Sequence, residues 1–158
     1  MSDIDKIVEA IKAKGQSVQS EEASAAERLE MANRVNEQAK TDAVEQWATI
    51  RPTLILYIER LNRSFEDVGV ILKLKQATTG AHGDVAQKEV VNISGNSKTI
   101  NTNHSMTFTA MVDGHTLVVV KRDHIEANNT KLNFRTMEIG TFELDQAFAK
   151  LLQGASLA

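Results

Sequence analysis

Apolar residues recur every three or four positions through the first 67 residues and at every second position in much of the remainder. The first period is that of helices and the second that of strands. The chain therefore reads as helix followed by sheet, with a helical pattern returning at the end.

Residues 3–14 form an amphipathic helix with Ile4, Ile7, Val8 and Ile11 on one stripe. Ser2 and Asp5 suit a capping box, and Gly15 reads as its stop. A second helix is expected to start near Ser20 or Ser24, where Ser24 and Glu27 make another capping box. From there to Asp67 no glycine intervenes and Pro52 is the one breaker. A seam runs through Leu29, Ala32, Asn36, Ala39 and Ala43 into Trp47, Ile50, Leu54, Ile58, Leu61 and Phe65. Steps alternating between three and four are those of a coiled coil or helix pair. The seam keeps phase across Pro52, which predicts a rod kinked or barely broken there. Some 45 residues at about 1.5 Å each span roughly 65–70 Å, too long to bury the stripe on one small domain. Leu29, Ala32, Asn36, Ala39 and Ala43 are therefore the candidate contacts between copies of the chain, with Asn36 placed to set register.

The second half predicts a four- to five-stranded antiparallel sheet. In residues 69–76, Val70, Leu72 and Leu74 alternate with Ile71, Lys73 and Lys75. Residues 85–93 give a second strand, and the polar stretch 94–104 a soft connection. Asp113-Gly114 suits a two-residue hairpin turn. If Val112 pairs with His115, Ala110 faces Leu117 and Phe108 faces Val119 on an apolar side, while Thr109 and Thr107 face Val118 and Val120. Residues 131–137 alternate again. After Gly140, Thr141 caps a last helix whose stripe is Leu144, Phe148, Leu151 and Leu152, with Gly154 as its end. Helices segregated from strands along the chain define an α+β class. Two parts are expected: 1–46, a short helix plus an oligomerisation segment, and 47–158, a helix-packed sheet domain.

Composition narrows the function classes. The 158 residues carry a formal charge of −3 with 4% aromatics. Residues 1–67 hold 9 basic and 13 acidic side chains, and residues 68–158 hold 9 and 8. Neither half has the cation excess that a phosphate backbone demands, so no nucleic acid is expected as partner. Cysteine is absent, which excludes disulfides and thiolate chemistry and suits a reducing, cytoplasmic setting. No apolar run approaches a membrane span.

Candidate chemistry is sparse. In the hairpin register above, His104 falls opposite Asp123, with Arg122 and His124 beside them. A histidine next to a carboxylate is the raw material of acid–base catalysis, and also what a strand end holds when it reaches water. His82, His104, His115 and His124 are scattered, and His82-Gly83-Asp84 offers two metal ligands where zinc takes three or four. Gly80 and Gly83 lack the third glycine of a phosphate loop. No metal, cofactor or catalytic set is therefore expected. Lys73, Lys75, Lys121, Arg122, Lys131 and Arg135 lie on or near strands and suggest a basic face for an acidic partner. Phe108 and Phe134 fall in core phase, so that face lacks the aromatics an RNA-binding sheet would present. The expected function is a non-enzymatic homo-oligomeric scaffolding module assembled through its N-terminal helices. The alternative is a small-molecule binder or enzyme with a pocket between sheet and helix, using His104, Arg122, Asp123 and His124.

Overall fold

A computed structural model of the chain describes residues 3–77, 84–121 and 129–156. Helix α1 (Asp3–Ser64) comes first. Five strands follow: β1 (Ile71–Gln76), β2 (Val85–Ser94), β3 (Ser105–Met111), β4 (His115–Lys121) and β5 (Thr130–Arg135). Helix α2 (Thr141–Ala155) is the last element described. This is the α+β arrangement the pattern predicts. The chain divides into two compact units, Met1–Gln38 and Ala39–Ala158.

In the first unit every described residue, Asp3 to Gln38, is helical and exposed. Gly15 is not the stop that its position suggests, and no second helix starts at Ser20 or Ser24. A glycine stop requires the left-handed conformation; among the described glycines only Gly69 and Gly114 have positive φ. A helical glycine costs about 1 kcal/mol against alanine, which weakens a helix without ending it.

In the second unit, the five strands form an antiparallel meander in the order β1-β2-β3-β4-β5. One face is covered by α1 from Ala43 onward and by α2. Trp47, Ile50, Leu54, Tyr57 and Ile58 of α1 meet Leu72, Val91, Ile93, Met106, Phe108, Val118 and Val120 of the sheet, with Leu144, Phe148 and Leu151 of α2. Their rings form a chain: Trp47 to Phe108 at 5.7 Å, Phe108 to Phe148 at 6.4 Å, and Phe148 to Tyr57 at 4.9 Å between centroids. Pro52 lies within α1. Its missing N–H removes one bond of the ladder, and the packed stripe on both sides holds the helix together.

The outer edge of β1 is closed by Asn62. Its side chain accepts from the Leu72 N–H at 2.8 Å and donates to the Leu72 carbonyl at 3.0 Å. On the opposite edge strand, β5, Lys131 and Arg135 discourage pairing with another strand. The polar connection after β2 is anchored more firmly than its composition suggests: Ile100 is buried, and the Asn101 N–H donates to the Ala155 carbonyl at 2.7 Å. Helix α2 runs through Gly154 to Ala155, and Gly140 rather than Thr141 is its N-cap. Glu143 reaches back to accept the Gly140 N–H at 3.1 Å.

The hairpin register differs from expectation by one residue. Ser105 pairs with Lys121, Met106 with Val120, Phe108 with Val118 and Ala110 with Thr116. The loop is therefore Val112-Asp113-Gly114, with Gly114 at φ 88° and its N–H donating to the Met111 carbonyl at 3.2 Å. A three-residue loop with a left-handed glycine in third place uses the same Asp-Gly dipeptide as the two-residue turn. Asp113 reinforces it by accepting the His115 N–H at 2.9 Å. The slip turns every β4 side chain over: Val118 and Val120 enter the core, while Leu117 and Val119 face outward.

Candidate functional site

Of the cluster read from the sequence, His104 alone lies among the described residues. His104 is 4% exposed, and its Nδ1 has no hydrogen-bond partner among them. Arg122, Asp123 and His124 lie outside the described residues, as does His82. No group of three or more histidine or acidic residues able to hold a metal ion occurs among the described residues. No described helix is long and apolar enough to cross a membrane. Of the interface candidates, Leu29, Ala32 and Asn36 are exposed and Ala39 is half-buried. Ala43, at 3% exposure, is already covered by its own chain.

What the sheet does assemble is a sharp separation of charge. The five strands contain six basic residues, Lys73, Lys75, Lys88, Lys121, Lys131 and Arg135, and one acidic residue, Glu89. Alternation and register put all six cations on the open face and the carboxylate on the covered face.

The open face is ordered in cross-strand rows. One runs Lys75–Val90–Thr107–Val119–Lys131. A second runs Lys73–Asn92–Ser105–Lys121, and a third Lys88–Thr109–Leu117–Asn133. Lysines stand at both ends of the first two rows and at one end of the third, and neutral residues fill the rest. The middle is recessed: a depression of about 560 Å³ is lined by Lys88, Thr107, Thr109, Leu117, Val119, Lys121, Asn129 and Lys131. Thr107, on its floor, is only 4% exposed. Sequence reading finds most of these lysines but misses Lys88, and it assigns Leu117 and Val119 to the core.

On the covered face, Glu89 is fully buried. Arg51 donates from Nε to its Oε1 at 2.8 Å, and Trp47 donates from Nε1 to its Oε2. Arg51 keeps 40% of its side chain in solvent. The carboxylate is thus a polar tie between α1 and β2. The sequence carries a signal for it: Glu89 shares the phase of Val91 and Ile93, where an apolar residue is the rule.

A second polar tie joins α1 to α2. The Tyr57 hydroxyl donates to Asp145 Oδ1 at 2.5 Å, and the Arg60 guanidinium lies 5.0 Å from the ring centroid. Burial first, then the hydrogen bond to Asp145 and its negative charge, push the Tyr57 phenol up from the ordinary 10 to about 12, against a smaller opposing effect of Arg60. The folded state therefore holds a proton that the unfolded chain releases. This contribution to stability is complete below pH 10 and is lost as pH rises from 10 toward about 12. Tyr57 is the only tyrosine, so ultraviolet titration of tyrosinate reads it directly. The expected native midpoint is about 12, falling to about 10 in urea. A native midpoint at the lower value would show that the phenol is neither buried nor bonded to Asp145.

Beside Tyr57, a depression of about 320 Å³ is lined by Thr53, Leu56, Arg60, Arg63 and Thr141 as well. A third, of about 340 Å³, mixes His115 and Arg135 with Glu138 and Glu143. The third mixes charges of both signs, unlike the sheet face, and the one beside Tyr57 has two arginines but none of the cross-strand rows.

No protein-family model matches the chain, and neither the curated proteins nor the solved structures contain a significant match.

Proposed function

We propose that this protein is a non-enzymatic, homo-oligomeric interaction module, assembled through its N-terminal helical segment, with the sheet unit as the part that recognises a partner. A cysteine-free chain suits a cytoplasmic setting for it. One observation carries the reading: Ile4, Ile7, Ile11, Val18 and Leu29 are all exposed on a helical segment that has no core of its own. Helices in water draw most of their stability from packing an apolar face, and an isolated one is marginal. The simplest cover for that face is the same face of another copy, with Leu29, Ala32 and Asn36 continuing the seam.

Light scattering behind size exclusion tests this on the full chain. The expected result is a defined oligomer whose mass falls on Ile11→Glu or Leu29→Glu. Both positions are exposed, so the Trp47 fluorescence of the sheet unit stays unchanged. A full chain that is monomeric at every concentration, or an oligomer indifferent to both substitutions, refutes the assembly role of the helix.

A further inference from the structure

The open face of the sheet points to a ligand. We infer that the depression on it binds a small amphipathic organic anion: an apolar body lying over Leu117, Val119, Thr107 and Thr109, with a phosphate or carboxylate head held by Lys121 and Lys131. This goes beyond assembly and holds whether or not the helices associate.

The register supplies the geometry. Lys131 pairs with Val119, so Lys121, two residues on, is its diagonal neighbour at roughly 7–8 Å. Two ammonium groups on flexible stems can close on one anionic head from that separation, each acting as a compact point charge. Asn129 lines the same end and offers an amide donor. Lys88 stands on β2, two strand spacings or about 10 Å from β4, at the far end of the apolar floor. The site is therefore lopsided, with two cations at one end, one at the other, and aliphatic carbon and threonine hydroxyls between.

Charge complementarity fixes the sign of the occupant, because no carboxylate shares this face among the strand residues. The apolar floor argues against inorganic phosphate alone, which would leave Leu117 and Val119 uncovered. Size argues for a small molecule. About 560 Å³ lies within the usual range of ligand pockets. Five strands averaging about seven residues present a face of roughly 550 Å², whereas a stable protein interface covers about 800 Å² per partner. Nucleic acid is disfavoured because the strands place no Phe, Tyr or Trp on this face for bases to stack on.

Titration calorimetry on the full chain, with dodecyl phosphate below its micelle threshold, tests the inference. The expected result is saturable binding at one site per chain, weakened by added salt. Replacing both Lys121 and Lys131 by serine should weaken it roughly tenfold or more. Both residues are exposed, and an unchanged urea midpoint confirms that the variant is folded. Inorganic phosphate should bind more weakly than dodecyl phosphate, and dodecyltrimethylammonium should not compete. The inference is overturned by no saturable heat, by a doubly substituted chain that binds like the parent, by equal binding of the cationic analogue, by tighter binding of an acidic peptide, or by binding seen only with phosphatidylglycerol–phosphatidylcholine vesicles. The last would make the face a membrane-docking surface, and tighter binding of an acidic peptide than of dodecyl phosphate would make it a protein-docking one.

Discussion

Replacing Arg51 by alanine lowers the stability of the sheet unit by about 3–5 kcal/mol. The loss is large because of what remains. Glu89 has no exposed surface, so without Arg51 its carboxylate keeps one indole N–H and no counter-charge. Removing one partner of a buried pair leaves an uncompensated charge, which costs more than the pair contributed. Arg51 already reaches solvent with part of its side chain, so the converse change, Glu89→Gln, is milder: Arg51 hydrates and the amide oxygen still accepts from Trp47. Replacing both residues by methionine should recover most of the loss, since a well-packed apolar pair is often equivalent to a buried ionic one. Urea unfolding followed by Trp47 fluorescence measures all three variants, because the single tryptophan touches the carboxylate itself. A loss under about 1 kcal/mol for Arg51→Ala would mean that water reaches Glu89 and that the tie is not structural.

Glu89 also shows what the sequence hides. Its phase with Val91 and Ile93 is visible, but a carboxylate at a core position has meaning only once its partners are known. Those partners, Trp47 and Arg51, lie some 40 residues earlier on a helix. Local periodicity predicts elements and faces well, which is why Trp47, Ile50, Leu54 and Ile58 fall where their spacing puts them. It cannot predict which helix position meets which strand position, so polar ties across layers stay illegible. Gly15 and Gly154 fail for another reason. A glycine permits a helix to end but does not compel it, and neighbouring residues that favour the helix carry it through.

The candidate site depended on the one decision that local pattern could not make. Leu117, Val118, Val119 and Val120 are all aliphatic, so either face of β4 satisfies the core. Asp113-Gly114 serves a two-residue or a three-residue loop equally. The two-residue choice appeals because it opposes Leu117 to Ala110 and Val119 to Phe108. The structure instead buries Thr116, whose hydroxyl lies 2.8 Å from that of Thr136. This satisfied pair removes the objection to threonine in the core. The same shift releases Leu117 and Val119 to the open face, where they become the floor between lysines. The lysine alternation was legible in the sequence; the recess was not, because it exists only in the observed register.

Adjacent residues of β4 therefore respond oppositely to the same substitution. Val118→Asp should unfold the sheet unit or cost it about 4 kcal/mol or more, and Leu117→Asp should cost about 1 kcal/mol or less. Val118 is fully buried on the covered face, where a carboxylate would be stripped of water. The nearest ring chain and aliphatic core offer it no donor. Leu117 points to the open face, where a carboxylate stays hydrated and shares the sheet surface with six basic residues. Its cost is the loss of a half-buried aliphatic contact and some strand propensity, partly offset by the cationic field. Thermal melting of the two variants reads the difference, since each kcal/mol moves the midpoint by about 2–4 °C in a chain of this size. Leu117→Asp should also abolish dodecyl phosphate binding while leaving the fold intact, because it places negative charge where the apolar body would lie. Reversed outcomes, with Val118→Asp tolerated and Leu117→Asp destructive, would restore the two-residue hairpin and remove the lysine-rimmed depression with it.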